Sequence, residues 1–64
     1  MLFKIQDSSD SNMVFLNPQH IVYIKERPNH GLWKIFLVGG EIIMTKNKKQ
    51  IEILLVFLTQ SNVQ

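Results

Sequence analysis

The 64-residue chain contains no cysteine. Disulfides and thiolate metal sites are therefore excluded. A domain of this length buries only about 60% of its unfolded surface and is marginal alone. The usual supports are disulfides, a metal or oligomerisation. The only imidazoles, His20 and His30, lie in different segments, and neither has a second ligand at helix or strand spacing. A metal site would have to draw on distant segments or on another subunit. Neither a metal nor a cofactor is expected, and oligomerisation is the support that remains.

Other absences narrow the function. The longest strictly apolar run is Ile53 to Leu58, far below the roughly 20 residues of a membrane span. Met1 to Ile5 is too short for the apolar core of a secretory leader. With the missing cysteine, this leads to the expectation of a cytoplasmic protein. The acids Asp7, Asp10, Glu26, Glu41 and Glu52 form no close pair. Asp7 and Asp10 sit in a serine-rich segment but lack the alternation and closing glutamate of a calcium loop. Ser8, Ser9 and Ser11 have no histidine partner, so no nucleophilic triad is supported. Gly39-Gly40 precedes a strand pattern, unlike a phosphate-cradling loop. No catalytic residue is identified, and the chain is not expected to be an enzyme.

What is present is a succession of short β-rich runs. Leu2 to Gln6 and Met13 to Leu16 read as two strands around the turn-forming segment Asp7 to Asn12. Asn17-Pro18 interrupts the pattern, because proline removes a ladder donor. His20 to Glu26 is a third strand, and Arg27 to Gly31 is a loop. Leu32 to Val38 and Glu41 to Lys46 complete five strands around Gly39-Gly40. Two glycines between β-rich runs match a two-residue hairpin turn, where positive φ is needed. That turn pairs Leu37 with Ile42, Phe36 with Ile43 and Ile35 with Met44. Alternation then places Trp33, Ile35, Leu37, Ile42 and Met44 on the core face. Phe36 and Ile43 sit side by side on the other face, flanked by Lys34 and Thr45.

Residues 47–60 read as a helix. Asn47 is placed to cap it, and Gln50 to reach back as in a capping box. Ile51, Leu54, Leu55 and Leu58 form one apolar stripe. Ile53, Val56 and Phe57 fall on the opposite side. One small core needs one stripe, so the second implies another surface, most simply a second copy of the chain. Ser61 to Gln64 reads as a polar tail.

The charge is modest, with seven Lys and Arg against five Asp and Glu. Lys46, Lys48 and Lys49 form the one basic cluster in sequence. With Lys34 they are the candidates for an anion or nucleic-acid contact. Tyr23, Trp33 and Phe36 are the candidate stacking aromatics, although Trp33 falls on the expected core face.

The run Leu16-Asn17-Pro18-Gln19-His20-Ile21-Val22-Tyr23-Ile24-Lys25-Glu26 continues through Trp33 to Met44, with Gly39-Gly40 inside, and then into the apolar helix. The pattern resembles small bacterial proteins of the FlbD type, associated with flagella, and related short phage proteins. The shared features are an Asn-Pro, spaced isoleucines, a glycine-ended hairpin and a terminal helix. The serine-rich early loop, the longer Arg27-to-Gly31 connection and the more apolar helix depart from it. The resemblance implies a small sheet with a C-terminal helix and no enzymatic chemistry.

The expected fold is a single α+β domain over residues 1–64, a small mainly antiparallel sheet of about five short strands with one C-terminal helix. The expected function is a non-enzymatic, self-associating interaction module with a regulatory role. Its interface would use Ile53, Val56, Phe57, Phe36 and Ile43, a two-fold dimer being the simplest closed assembly, and a different protein could cover the same face. The alternative is a small basic nucleic-acid-binding regulator that uses Lys34, Lys46, Lys48 and Lys49.

Overall fold

The computed structural model describes residues 2–61. Of the expected polar tail, 62–64 lie outside the described residues. Five strands and one helix follow one another in the chain. They are β1 (Phe3–Gln6), β2 (Met13–Leu16), β3 (Ile21–Arg27), β4 (Leu32–Leu37), β5 (Ile42–Thr45) and α1 (Lys48–Ser61). The strands form two antiparallel sheets rather than one, a β1-β2 pair and a β3-β4-β5 sheet. The loop after β1 ties them together, because Ser8 N–H donates to the Met44 carbonyl at 2.7 Å. The α+β architecture expected from the sequence is thus present.

Alternation decides which side of the β1-β2 pair is buried. Phe3 pairs with Leu16 and Ile5 with Val14 on the inner side, while Lys4 pairs with Phe15 and Gln6 with Met13 outside. The turn between them is closed by its own side chains. Asp7 Oδ1 accepts from the Ser9 amide at 3.0 Å and the Ser9 hydroxyl at 2.7 Å. Asp10 Oδ1 accepts from the Asn12 amide at 2.9 Å. These short acids thus act as Asx-turn acceptors.

Two single-turn 3-10 helices, Pro18–His20 and Pro28–His30, stand where the sequence suggested only breaks. Proline suits the first position of such a turn, since its missing N–H would be unpaired there anyway. Asn17 caps the first turn, accepting from the Gln19 amide at 2.9 Å.

The β4-β5 hairpin departs from expectation by one residue. Ile35 pairs with Ile43, not Met44, and Phe36 pairs with Ile42, not Ile43. The cause is the turn. Gly40 N–H donates to the Leu37 carbonyl, and Leu37 N–H to that of Glu41, so Val38, Gly39 and Gly40 together make a three-residue loop. Gly39 and Gly40 both have positive φ, 95° and 93°. This is the conformation for which glycine was expected, but the loop is one residue longer. Because the side-chain period is two, the slip turns every β5 residue over. Ile43 and Thr45 face the core, whereas Ile42 and Met44 face outward. Trp33, Ile35 and Leu37 stay on the inner side, as expected.

A bulge governs β3. Ile21 pairs with Leu37, but Tyr23 pairs with Phe36, leaving Val22 as the extra residue. Without it Tyr23 would oppose Ile35 and enter the core, while Ile24 would turn to solvent. The bulge allows Ile21 and Ile24 to face inward together.

The core is Ile5, Leu16, Ile35, Ile43, Ile51 and Leu54, with Thr45 buried among them. Phe3, Val14, Ile21, Ile24, Trp33, Leu37 and Leu58 pack around it. Helix α1 covers the inner face of the sheets through Ile51 and Leu54. Asn47 caps it, its Oδ1 accepting from the Gln50 amide at 3.1 Å. The reciprocal half of a capping box is absent. The Asn47 amide donates instead to Thr45 Oγ1 at 3.2 Å, and Gln50 Oε1 is buried without a hydrogen-bond partner.

Candidate interaction surfaces

At 100° per residue, the buried arc of α1 runs through Gln50, Ile51, Leu54, Phe57 and Leu58. It is rotated by about half a residue step from the expected stripe. Phe57 therefore turns inward and meets Phe3 edge-on, with ring centroids 5.2 Å apart. An aromatic ring buries more area than the leucine it displaces, and edge-to-face contact adds to this. Leu55 is left 43% exposed on one rim of this arc, while Ile53 at 60% lies on the opposite rim and Val56 at 56% on the outer side.

The expected interface set is thus divided. Ile53 and Val56 do point to solvent. Phe57 is half-buried against Phe3, and Ile43 is in the core. Phe36 is half-buried on the outer face of the sheet. The sequence signal missed at Leu55 was its position on the rim of the helical arc, where a small rotation decides the outcome.

Leu55, Phe57 and Leu58 also form one wall of a groove of about 490 Å³ with mixed polar and apolar lining, facing Pro18, Gln19, Ile21, Val22, Tyr23 and Ile24. The bulged Val22 stands at its edge and is largely exposed. The groove therefore lies between the helix and the start of β3, next to the outward face of the helix.

The outer face of the three-stranded sheet carries a second surface. Two cross-strand rows are set by the pairing: Tyr23 with Phe36 and Ile42, and Lys25 with Lys34 and Met44. Arg27, opposite Leu32, extends the same side. The Tyr23 and Phe36 rings are stacked, with centroids 4.3 Å apart and planes at 18°.

The four lysines suggested by the sequence do not form one site. Lys34 is on this outer sheet face. Lys48 and Lys49 are in the first turn of α1, which covers the inner face, and Lys46 lies in the connection between them. Of the suggested aromatics, Tyr23 and Phe36 share the outer face and Trp33 lies inside.

His20 and His30 are exposed, each at the end of a 3-10 turn. Among the described residues, no three His, Asp or Glu side chains come together as a metal would require. Asp7 is held below the usual carboxylate range. Burial, the largest influence, opposes its ionisation, but the Ser9 hydroxyl, the Ser9 amide and the Met44 backbone together outweigh it. Its carboxylate is thereby committed to the turn. Among the described residues, no helix is long and apolar enough to cross a membrane.

In comparisons with protein-family models, curated proteins and solved structures, nothing matches this chain.

Proposed function

We propose that this protein is a non-enzymatic interaction module that self-associates as a two-fold dimer through the outer face of α1 and the groove beside it. The observation that carries the reading is the exposure of Ile53 and Val56, about 60° apart on the outer side of a helix whose other side fills the core, with Leu55 exposed on the flank beside the groove. Exposed large apolar side chains concentrated on one element of so small a domain mark a contact site. Groove and ridge lie on the same chain, so a two-fold axis lets each subunit present its ridge to its partner.

Fully burying such a side chain is worth about 1.5–3 kcal/mol. Three that are already about half-buried would gain roughly 2–4 kcal/mol per subunit. Two subunits together then reach the range of the association cost, about 4–15 kcal/mol. The dimer constant is accordingly sensitive to each of these side chains. The reading includes a cytoplasmic location, a bacterial or phage origin and a regulatory role. The likeness to FlbD-type proteins belongs to this proposal and concerns the sheet-and-helix plan.

The test is a variant with Ile53→Lys and Val56→Glu, followed by sedimentation and by circular dichroism over a concentration series. The expected result is loss of the dimer, with unfolding that no longer depends on concentration. An unchanged mass for the variant would reject this face as the interface.

A further inference from the structure

We infer that the outer face of the β3-β4-β5 sheet is a binding platform for single-stranded nucleic acid, with bases stacking on Tyr23 and Phe36 and phosphates held by Lys25, Arg27 and Lys34. This goes beyond self-association. Helix α1 covers the inner face of the sheet, so the two surfaces lie on opposite sides and meet at Tyr23, which also lines the groove.

The argument starts from a repulsion. Lys25 and Lys34 are direct cross-strand partners, and like charges in that position destabilise a sheet. The strand pairing gives neither of them a carboxylate. The other neighbour of Lys34 is Met44, and Arg27 faces Leu32. The single acid in β3–β5, Glu26, alternates to the other side, opposite Trp33. Lysine at an edge strand commonly guards against unwanted pairing, which accounts for Lys25 and Arg27. It does not account for Lys34, which is in the central strand and half-buried. An anion across this face relieves the repulsion at both lysines.

The aromatic pair selects the kind of anion. Tyr23 is 49% exposed and stacked on Phe36, one cross-strand row away from the two lysines. An aromatic row beside cationic rows on an open sheet suits a flexible strand whose bases are free to stack. Base–aromatic stacking tolerates sequence because every base has a π-face. A duplex keeps its bases paired and offers only phosphates. An acidic peptide would use the lysines and leave the rings without a specific role, whereas an anionic membrane would take the rings among its headgroups, the case that binding to phosphatidylserine vesicles reads. The bulge at Val22 is what brings Tyr23, Lys25 and Arg27 to this side.

Fluorescence anisotropy with labelled oligouridylate and oligothymidylate of roughly 10 nucleotides tests the inference. For three phosphate contacts to a single strand, log K should fall against log salt with a slope of about −2. The double variant Lys25→Gln, Lys34→Gln should reduce the slope to about −1. Tyr23→Leu, which keeps an apolar contact with Phe36, should weaken binding about tenfold and leave the slope unchanged. Both variants are checked for retained folding by their thermal transitions. A third variant, Lys48→Gln with Lys49→Gln, should bind like the unmodified protein. The inference is overturned by no binding at low salt, by equal binding of duplex and single strand, by stronger binding to phosphatidylserine vesicles or polyglutamate, or by loss of binding only in the Lys48/Lys49 variant.

Discussion

Exchanging adjacent isoleucines for valine provides a close test of the fold, because Ile42 and Ile43 differ only in which way β5 turns them. Ile43 is 1% exposed and packs in the core, whereas Ile42 is 47% exposed on the outer face. Ile43→Val removes one methylene from a closed site and should cost about 1 kcal/mol, within the usual 0.5–1.5 kcal/mol for this change. In a domain of this size, that lowers the thermal midpoint by about 4–8 °C. Ile42→Val loses only part of a methylene's burial and leaves no cavity, so it should cost under about 0.5 kcal/mol. The two variants are compared by thermal and urea unfolding at one protein concentration, since association shifts apparent stability. A two-residue Gly39-Gly40 turn would reverse the order, with Ile42 inside and Ile43 outside. Finding Ile42→Val the more damaging change would refute the three-residue loop and the inner and outer faces built on it.

Other outcomes follow from the helix start and the first turn. Asn47→Ala should cost about 1 kcal/mol, read as a lower urea midpoint, because the Gln50 amide loses its acceptor. Gln50→Met should be neutral or stabilising in the same assay, since Gln50 Oε1 is buried without a partner. A working capping box would make it destabilising instead. Asp7 is shifted downward in the folded state. Its contribution is therefore present above the unfolded carboxylate value of about 3.9 and is lost as pH falls through the lower folded value. Asp7→Asn should flatten the acid side of the stability–pH profile and leave the neutral side parallel.

Much of the architecture could be read from local pattern. The strands appear where β-rich runs alternate, and the helix begins after a capping asparagine. Phe3 and Ile5 lie inside, as their spacing required. What could not be read depended on a single residue of geometry. Nothing in Val38-Gly39-Gly40-Glu41 distinguishes a two-residue loop from a three-residue one, yet the choice exchanges Ile42 for Ile43 in the core. The same holds at the helix, where Leu55 and Phe57 lie on opposite rims of the apolar arc. Phe3 in a distant strand decides between them. The outer platform was visible only as scattered parts. Tyr23 and Phe36 stood out as aromatics, and Lys34 as a cation. Lys25 and Arg27 gained meaning once the bulge at Val22 set their side of the sheet. Isoleucines at 21 and 24, out of step with period two, were the trace of that bulge in the sequence.

Sedimentation equilibrium of the unmodified protein across micromolar concentrations tests the central claim most directly. The chain has a mass of 7.5 kDa. Self-association through the outer face of α1 predicts a reversible rise to twice that mass, with the dimer predominant at high micromolar concentration. A folded species that stays at the monomer mass throughout would contradict it.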